Sequence, residues 1–418
     1  MKISSSVSAP LCADCVGNMS KRILFVDDEP MVLKGLERSL RGMRSEWEMQ
    51  FVPGGPEALE AMAHAPFDVV VSDMRMPGMD GAQLLDLVKK RFSRTVRLVL
   101  SGQSDRDAVS RAIRPTHQYF SKPCDVEELK QKLKCALALR DLLDSPELKE
   151  RVSQVETVPS LPSLYQGLLA QLQSARPSLR AVGDIASRDP GMTAKLLQLV
   201  NSAFLGSPSR LSCPRQAISV IGVDSLRQFV LSGGLFSELP ESLAFTLAPL
   251  WKHAYSTARF AQAIARCERA SETMVESCFT AGLLHVIGWI VLASTCSERF
   301  GALRSISNKN LPCVELQREI LGGTHGEVGA YLLGLWGLPD PIIEAVAGRP
   351  SPAASCPTGF CPLLAVHVAD HWDRQWHRSS PLSEDDAIDE DLLARLGLEQ
   401  RLPVWQRQCE EIAEKDET

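Results

Sequence analysis

Hydrophobic residues in the first third of the chain fall into short continuous runs at residues 22–26, 68–72 and 96–100, each rich in Val, Ile or Leu. Runs of this length predict strands that are buried on both faces, as in a parallel sheet. Amphipathic stretches at residues 31–41, 56–64 and 81–91 predict intervening helices. The resulting order, β-α-β-α-β-α, predicts an α/β doubly wound parallel sheet.

Polar residues follow the predicted strands at the points where the strands end. Asp27 and Asp28 follow the first run, Asp73 the second and Ser101 the third, while Lys122 lies further along the chain, before a proline. Right-handed crossovers place the loops after successive strands side by side, and ligands bind outside these carboxyl ends. Any one of these residues alone would be more typical of a turn, a cap or a solvated surface. The five together predict one pocket.

Three carboxylates in one pocket indicate a bound hard cation, because they would otherwise repel one another. Mg²⁺ prefers oxygen ligands and is usually held by one or two carboxylates together with phosphate oxygens. With this ion bound, Asp73 can stay ionised and attack an incoming phosphoryl group, forming an aspartyl phosphate. Lys122 would neutralise one phosphoryl oxygen, and the Ser101 hydroxyl would donate a hydrogen bond to another.

Four short motifs in this region match one family in order and spacing. They are Val-Asp-Asp-Glu-Pro at 26–30, Ser-Asp-Met-Arg-Met-Pro-Gly-Met-Asp-Gly at 72–81, Leu-Ser-Gly at 100–102 and Tyr-Phe-Ser-Lys-Pro at 119–123. Residues 21–140 thus resemble a response-regulator receiver domain, the acceptor half of a two-component phosphorelay. The resemblance implies a flavodoxin-like, five-stranded fold, phosphorylated by a sensor histidine kinase or a phosphotransfer protein. A receiver that folds but is not phosphorylated is the alternative.

The resemblance also implies a role for each pocket residue. Asp73 would be the phosphoacceptor, and the Mg²⁺ ligands would be the side chains of Asp28 and Asp73 and the backbone carbonyl of Arg75. Asp27 would act through metal-bound water.

Ser101 and Tyr119 match the family's switch pair, in which the hydroxyl moves toward the phosphoryl group and the aromatic ring turns inward. Such a switch needs two states that differ by only a few kcal/mol. We expect it to change the surface of two receiver helices, at about 105–113 and 125–140. That change would release or reorient the rest of the chain, or promote a homodimer through the receiver domain.

Periodicity changes from about residue 158, where 3.6-residue apolar stripes replace the strand-like runs. The last receiver helix is expected over 126–143, running into a helical linker at 141–157 that Pro146 limits. Asp189 followed by Pro190 predicts a helix start. Helices are predicted at 191–204, 225–236 (capped by Asp224, after Gly222 ends the preceding helix), 247–267, 273–293, 311–321 and 325–336.

Several phrases in this helical region carry a second resemblance. They are Leu-Pro-Ser at 161–163, Arg-Asp-Pro-Gly-Met-Thr-Ala at 188–194, Val-Asn-Ser-Ala at 200–203, Ala-Ile-Ser-Val-Ile-Gly at 217–222 and Ala-Gly-Leu-Leu-His-Val-Ile-Gly at 281–288. The region resembles the HDOD domain, an all-α output module related to HD-type phosphohydrolases. We place this domain at residues 158–375.

The metal-binding residues of HD-type hydrolases are incomplete in this chain. Those enzymes need an adjacent His-Asp pair and further His and Asp ligands to hold a metal that activates water. Here Val286 follows His285, Trp289 replaces a Lys that is common in the catalytic relatives, and residues 347–348 are Ala-Gly where the relatives carry His-His.

Four residues remain in line with ligand positions of the catalytic relatives: His253, His285, His325 and Asp370. A His on an apolar helix face is more often a hydrogen-bonded packing residue than a ligand. We therefore expect no metal in this domain, no catalytic residues in it, and an output that acts through an unidentified downstream signalling protein. The alternative is a cyclic di-GMP phosphodiesterase whose metal site has drifted.

The composition of the chain limits the classes of function that remain open. The 418 residues carry a net charge of −6 and 44% hydrophobic residues, enough for two or three packed domains. The acidic balance and the absence of a helix-turn-helix motif count against a nucleic-acid partner, and a DNA- or RNA-binding regulator is the second alternative. We read no membrane-spanning run and no signal peptide, so the 12 cysteines are expected to be reduced in a cytoplasmic protein.

The two ends of the chain carry weaker patterns. Cys12 and Cys15 form an isolated Cys-x-x-Cys, which is weak evidence for a metal or redox site. We interpret residues 1–20 as a disordered extension. The alternative is that the start site is misplaced, that the native chain starts at Met19, and that residues 1–18 are not part of it. Residues 376–418 are predicted to be an acidic tail with short helices, loosely docked at its end.

Overall fold

The structure analysed is a computed structural model of the chain, and it describes residues 20–101, 116–122, 125–174, 176–201, 210–231, 235–306, 314–355, 358–376 and 387–417. The predictions for residues 1–18 and for the receiver helix at 105–113 therefore lie outside the described residues.

The first described residues form a five-stranded parallel sheet in the order β2-β1-β3-β4-β5. Its strands are β1 Lys21–Val26, β2 Trp47–Val52, β3 Val69–Asp73, β4 Val96–Ser101 and β5 Gln118–Ser121. The central strands are almost wholly apolar because helices cover both faces of the sheet. The predicted doubly wound α/β class is confirmed, and each of the three predicted strands is placed to within one residue.

Helices of the first domain connect and flank these strands: α1 Pro30–Ser39, α2 Gly55–His64, α3 Gly81–Arg91 and α4 Val126–Arg140. Helix α3 begins with a capping box, in which the Asp80 carboxylate accepts from the Gln83 N–H at 2.8 Å and the Gln83 side chain accepts from the Asp80 N–H at 3.0 Å. The capped N-terminus of α3 comes directly after the loop that follows β3, and it holds this loop against the edge of the sheet.

The rest of the described chain is helical. The helices are α5 Pro146–Ser153, α6 Pro162–Gln173, α7 Leu179–Ala186, α8 Pro190–Asn201, α9 Pro214–Ile221, α10 Val223–Leu231, α11 Glu241–Cys267, α12 Glu272–Leu284, α13 Ile287–Thr295, α14 Ser297–Ile306, α15 Val314–Leu321, α16 His325–Leu335, α17 Asp340–Gly348, α18 Pro362–Trp376, α19 Glu390–Arg395 and α20 Leu402–Glu417. The core of this part is built from α11, α12 and α18, which pack on one another.

Helix α12 and its continuation are the most apolar segment of this core. Among the described residues, Glu272–Thr295 is long and apolar enough to cross a membrane by length and composition. However, 83% of its most apolar window is buried inside the protein, as is usual for a core helix of a folded domain.

Several predicted helix bounds in the helical region are wrong. The helix predicted at 273–293 is two helices, α12 and α13, because the chain turns at His285 and Val286. A β-carbon on Gly288 would lie 1.8 Å from the His325 carbonyl oxygen, so this turn needs a glycine to bring α13 against α16. Asp224 lies inside the first turn of α10 instead of capping it, whereas Gly222 ends α9 as predicted, with its N–H donating to the Ile218 carbonyl.

The linker also differs from the prediction. Helix α4 ends at Arg140 instead of continuing to residue 143, and Pro146 begins the separate helix α5. The reason is local: proline favours the first turn of a helix, and the Ser145 hydroxyl accepts from the Leu148 N–H to cap it.

The end of the chain is docked, which corrects the expectation of a loose tail. Helix α20 packs on α11 and buries Trp405 and Cys409, which lie one turn apart. The Trp405 indole N–H donates to Glu268 at 2.8 Å, and Arg401 contacts the same carboxylate at 2.7 Å.

Candidate functional site

The acidic pocket lies at the carboxyl edge of the parallel sheet. Asp73 is the last residue of β3, Asp27 follows β1, and Lys122 follows β5. The Lys122 ammonium lies 2.7 Å from Asp27 Oδ2 and also contacts Asp73 Oδ1. The topology thus brings together three of the five residues that the strand ends predicted.

Backbone groups fix the two carboxylates that Lys122 contacts. Asp73 Oδ2 accepts from the Arg75 N–H at 2.7 Å, and Asp27 Oδ1 accepts from the Glu29 N–H at 3.0 Å. Gly81 opens α3 so close to the strand end that a β-carbon there would lie 2.2 Å from the Asp73 carbonyl oxygen. The α3 N-terminus therefore abuts the strand that carries Asp73.

Burial and ion pairing act in opposite directions on this pair. Burial raises the pKa of the Asp73 carboxyl, and the contacts with Lys122 and the Arg75 N–H offset only part of that effect. Burial alone would lower the pKa of Lys122, but its hydrogen bonds and charge interactions with Asp27 and Asp73 raise it. Lys122 is therefore favoured in its charged form, and a further positive charge beside Asp73 would favour the ionised carboxylate.

The donor set fits a hard divalent cation. The carboxylates of Asp27 and Asp73 outnumber the single ammonium of Lys122, so this pair leaves a negative charge for such a cation to offset. Asp28 is partly exposed, which leaves its oxygens accessible. Together with the Arg75 carbonyl, these oxygens are the groups that would hold Mg²⁺.

The two residues of the predicted switch lie on neighbouring strands. Ser101 ends β4 and pairs with Ser121 of β5, while Tyr119 pairs with Val99 and is 4% exposed. The backbone of Ser101 thus lies at the sheet edge where the pocket lies, but its side chain is outside the described residues.

A second cluster of titratable groups lies in the core of the helical region. His253 Nε2 lies 3.0 Å from His285 Nε2 and 2.9 Å from Asp370 Oδ1, and the third pair of these atoms is 3.5 Å apart. All three residues are at least 97% buried. Ligands about 2.1 Å from one ion lie roughly 3.0 to 3.4 Å from each other, so the spacing alone would suit a metal.

Neighbouring groups orient both imidazoles. His253 Nδ1 lies 2.5 Å from Asp373, and His285 Nδ1 donates to the Gly282 carbonyl at 2.6 Å. With protons on both Nδ1 atoms, the three converging atoms would all be acceptors, an arrangement that a bound cation would stabilise. Burial lowers the pKa of both histidines, and for His253 the Asp373 carboxylate opposes this.

Two arginines add positive charge beside this cluster. Asp370 Oδ2 contacts both Arg349 and Arg374, and Arg349 is 1% exposed. These two arginines reduce the negative charge that a divalent ion would meet at Asp370.

His325 is set apart from the other three predicted residues. Its Nδ1 and its backbone N–H both lie 2.9 Å from Gln317 Oε1, and its ring stacks on Trp289 with centroids 4.5 Å apart. Its Nε2 lies 3.3 Å from Arg349. The structure therefore brings together His253, His285 and Asp370 and places His325 outside this cluster, next to Arg349.

The sequence analysis missed Asp373, Arg349 and Arg374. Two of them had a local signal, because Asp370, Asp373 and Arg374 are spaced three and four residues apart and share one face of α18. Arg349 had none, since it follows α17 and reaches Asp370 only through the tertiary packing.

Two family models match the chain. The model described as the response regulator receiver domain matches residues 23–134, and the model described as the HDOD domain matches residues 158–352. The two matches correspond to the sheet domain and to most of the helical region.

Curated relatives are similar over part of their length. An uncharacterised protein of Treponema pallidum (strain Nichols) is 27% identical over 225 residues, which is 54% of this chain and 41% of that protein. The DNA-binding transcriptional regulator NtrC of Escherichia coli (strain K12) is 38% identical over 107 residues, 25% of this chain and 22% of that one. This chain thus spans less than half the length of both relatives.

Solved structures are similar as well. The MmoQ response regulator from Methylococcus capsulatus str. Bath is 22% identical, with 60% of this chain and 98% of that chain covered and a TM-score of 0.45. The signal receiver domain of an HD domain-containing protein from Pseudomonas fluorescens Pf-5 is 30% identical, with 29% and 98% covered and a TM-score of 0.28.

Proposed function

Since the chain belongs to the two-component response regulators and joins an N-terminal receiver domain to a C-terminal HDOD domain, we propose that it is phosphorylated on Asp73 and acts through a non-catalytic HDOD output. The donor would be a sensor histidine kinase or a phosphotransfer protein. The output would be a contact with another signalling protein in the cytoplasm, without a membrane or nucleic-acid partner.

One observation carries the proposal: a single ammonium, that of Lys122, contacts both Asp27 and Asp73 at the carboxyl edge of the sheet. A cation placed beside a strand-end carboxylate can neutralise a phosphoryl oxygen that arrives there. The oxygens of Asp27, Asp28, Asp73 and the Arg75 carbonyl would hold Mg²⁺, which when bound offsets negative charge on the carboxylates and the incoming phosphoryl group.

The transfer itself needs only one nucleophile. An Asp73 carboxylate oxygen attacks the phosphorus of the donor, the new P–O bond forms, and the bond between phosphorus and the leaving group breaks. With acetyl phosphate as the donor, the leaving group is acetate. Lys122 stabilises the charge on the transferred group, and the Ser101 hydroxyl is proposed to donate a hydrogen bond to it.

Labelling with acetyl phosphate tests the proposal. We expect full-length protein to take up one phosphoryl group per chain only when Mg²⁺ is present, and Asp73→Asn to take up none. Asp86→Asn is the matched control, because Asp86 is a half-exposed residue of α3 that pairs with Lys90 on the same helix. Undiminished labelling of the Asp73 variant would overturn the proposal.

The output is proposed to lack catalysis because Val286 occupies the position after His285 and the arginines already compensate Asp370. The convergence of His253, His285 and Asp370 is the observation that favours the rival, a cyclic di-GMP phosphodiesterase. Incubation of phosphorylated protein with cyclic di-GMP separates the two. We expect no turnover, and turnover abolished by His285→Ala would establish the rival.

A further inference from the structure

The linker helix α5 ends against the receiver at a buried histidine. His117 directly precedes β5 and is 3% exposed. Its backbone N–H donates to the Arg97 carbonyl at 2.9 Å, and its Nδ1 accepts from the Arg97 N–H at 3.1 Å. Its Nε2 lies 3.0 Å from the carbonyl of Ser153, the last residue of α5. The imidazole therefore bridges β4 and the end of the linker helix.

This geometry fixes the protonation state of the ring. A backbone N–H can only donate, so Nδ1 carries a lone pair, and the single proton of the neutral ring is on Nε2, where it donates to the Ser153 carbonyl. The Arg97 guanidinium donates to the same carbonyl at 2.8 Å and lies 2.8 Å from Nε2. A second proton, on Nδ1, would face the Arg97 N–H and place a positive charge beside that of Arg97. The observed contacts thus accommodate only the neutral imidazole.

Other charged groups around the ring increase the cost of protonating it. Lys89 of α3 and Lys195 of α8 both lie near the ring. Lys89 pairs with the Glu156 carboxylate, and Lys195 donates to the Glu156 carbonyl at 2.6 Å. Tyr331 of α16 lies near Arg97, and burial raises its pKa to about 12, so it is neutral. One carboxylate therefore stands against three cations around the histidine.

The end of α5 also has bonds to both domains that do not involve the histidine. Towards the receiver, the Ser153 hydroxyl donates to the Ser93 carbonyl at 2.6 Å, and the Ser93 hydroxyl donates to Glu150 at 2.7 Å. Towards the HDOD domain, Arg151 donates to the Thr295 carbonyl at 2.8 Å. Because the helix contacts both domains, release of its end from the receiver changes how the two domains are joined.

We propose that His117 is a pH-sensitive latch, which holds the end of α5 on the receiver while its imidazole is neutral and releases it when the imidazole is protonated. The latch makes the connection between the receiver and the HDOD domain depend on pH. It needs no phosphoryl group on Asp73 and is independent of the proposed function.

The direction of the response follows from proton binding in the two states. In the latched state, burial and the charges of Arg97, Lys89 and Lys195 hold the pKa of His117 well below its usual value of 6.5. In the released state the ring is hydrated and regains that usual pKa. The released state therefore binds the proton more readily, and its population relative to the latched state increases by up to about tenfold for each pH unit below about 6.5.

Hydrogen exchange of backbone amides tests the latch in the full-length protein at about pH 7 and about pH 5.5, after correction for the intrinsic exchange rates. We expect the amides of α5 to lose protection by roughly eightfold at the lower pH. Release of one helix end exposes little surface, so this exchange should not depend on dilute urea, whereas exchange through global unfolding does.

Two histidine variants assign the response to one residue. His117→Gln should keep its protection at the lower pH, because an amide can accept from the Arg97 N–H and donate to the Ser153 carbonyl without titrating. His64→Gln, at an exposed position of α2, is the matched control and should respond like the wild type.

Ser93→Ala separates the latch from a purely structural contact. It removes the hydroxyl that bonds Glu150, so it should lower the protection of α5 at both pH values and leave their ratio unchanged. A response in His117→Gln as large as that of the wild type would refute the latch. Wild-type exchange in α5 that is equal at both pH values, or that increases only as urea is added, would refute it as well.

Discussion

Ion pairs determine the local charge in the acidic pocket of the receiver and in the histidine-aspartate cluster of the HDOD domain. In the receiver pocket, one ammonium, that of Lys122, has two carboxylate partners. In the buried cluster of the HDOD domain, one carboxylate, that of Asp370, has two arginine partners. The same residue type, aspartate, is therefore open to a cation in the receiver and already compensated in the HDOD domain. The difference follows from the neighbouring charges and not from the aspartates.

Removal of the charge at Asp370 tests this description of the HDOD cluster. Asp370→Asn removes the carboxylate charge that the buried Arg349 contacts, and breaking a buried pair in this way costs about 3–5 kcal/mol. We expect that decrease in the free energy of unfolding in urea. Asp224→Asn is the control, since that side chain is 96% exposed. A decrease no larger than that of the control would contradict the assignment.

His117 predicts a dependence of stability on pH. Burial and the charges of Arg97, Lys89 and Lys195 hold its pKa well below the usual value, so the folded protein binds fewer protons here than the unfolded chain. Stability is therefore complete above about pH 6.5 and falls as the pH decreases below it, by at most about 1.4 kcal/mol per pH unit.

The variant His117→Gln removes this dependence, because an amide can accept the Arg97 N–H without titrating. We expect urea unfolding of the wild type between pH 7 and pH 5 to lose more stability than the variant loses. His64→Gln, at an exposed position of α2, serves as the control. Parallel pH profiles for the wild type and His117→Gln would contradict the role of this residue.

At the scale of elements, sequence patterns identified the strands and helices whose apolar periodicity is visible in their own residues. Parallel topology brings strand ends together, so Asp27, Asp73 and Lys122 could be predicted to meet before any coordinates. The predicted helix bounds were wrong where tertiary packing overrode the sequence pattern. The apolar run at 273–293 has the pattern of one helix, but the chain turns within it so that α13 packs against α16 at Gly288. Helix α20 was missed because its apolar face is sparse: Trp405 and Cys409 are fully buried, while Leu402 and Ile412 are only partly buried against the core.

Helix α20 supplies a prediction of its own. Trp405→Ala should lower the free energy of unfolding by about 3–5 kcal/mol, because a fully buried indole and its hydrogen bond to Glu268 are lost. Its neighbour Val404 is 43% exposed, so Val404→Ala is the matched control. Urea denaturation measures both. A loss below about 1 kcal/mol for the tryptophan variant would restore the interpretation of a loose tail.

At the scale of the whole molecule, the receiver and the HDOD domain form one structure through β5, α4 and the linker. No pattern predicted the bonds from Gln118 to Gly334 or from Gln198 to His117, because contacts between residues so far apart leave no periodic trace. The proposed phosphorylation pocket could thus be predicted from the strand ends, whereas the contacts between the two domains are known only from the fold.

The location of the phosphoryl group is the most direct test of the central claim. Borohydride reduces an aspartyl phosphate to homoserine, so protein treated with acetyl phosphate and Mg²⁺ and then reduced should contain homoserine at position 73 in a peptide mass analysis. The account predicts this product at Asp73 and at no other position. Homoserine at Asp27 or Asp28, or aspartate unchanged at all three, would contradict it.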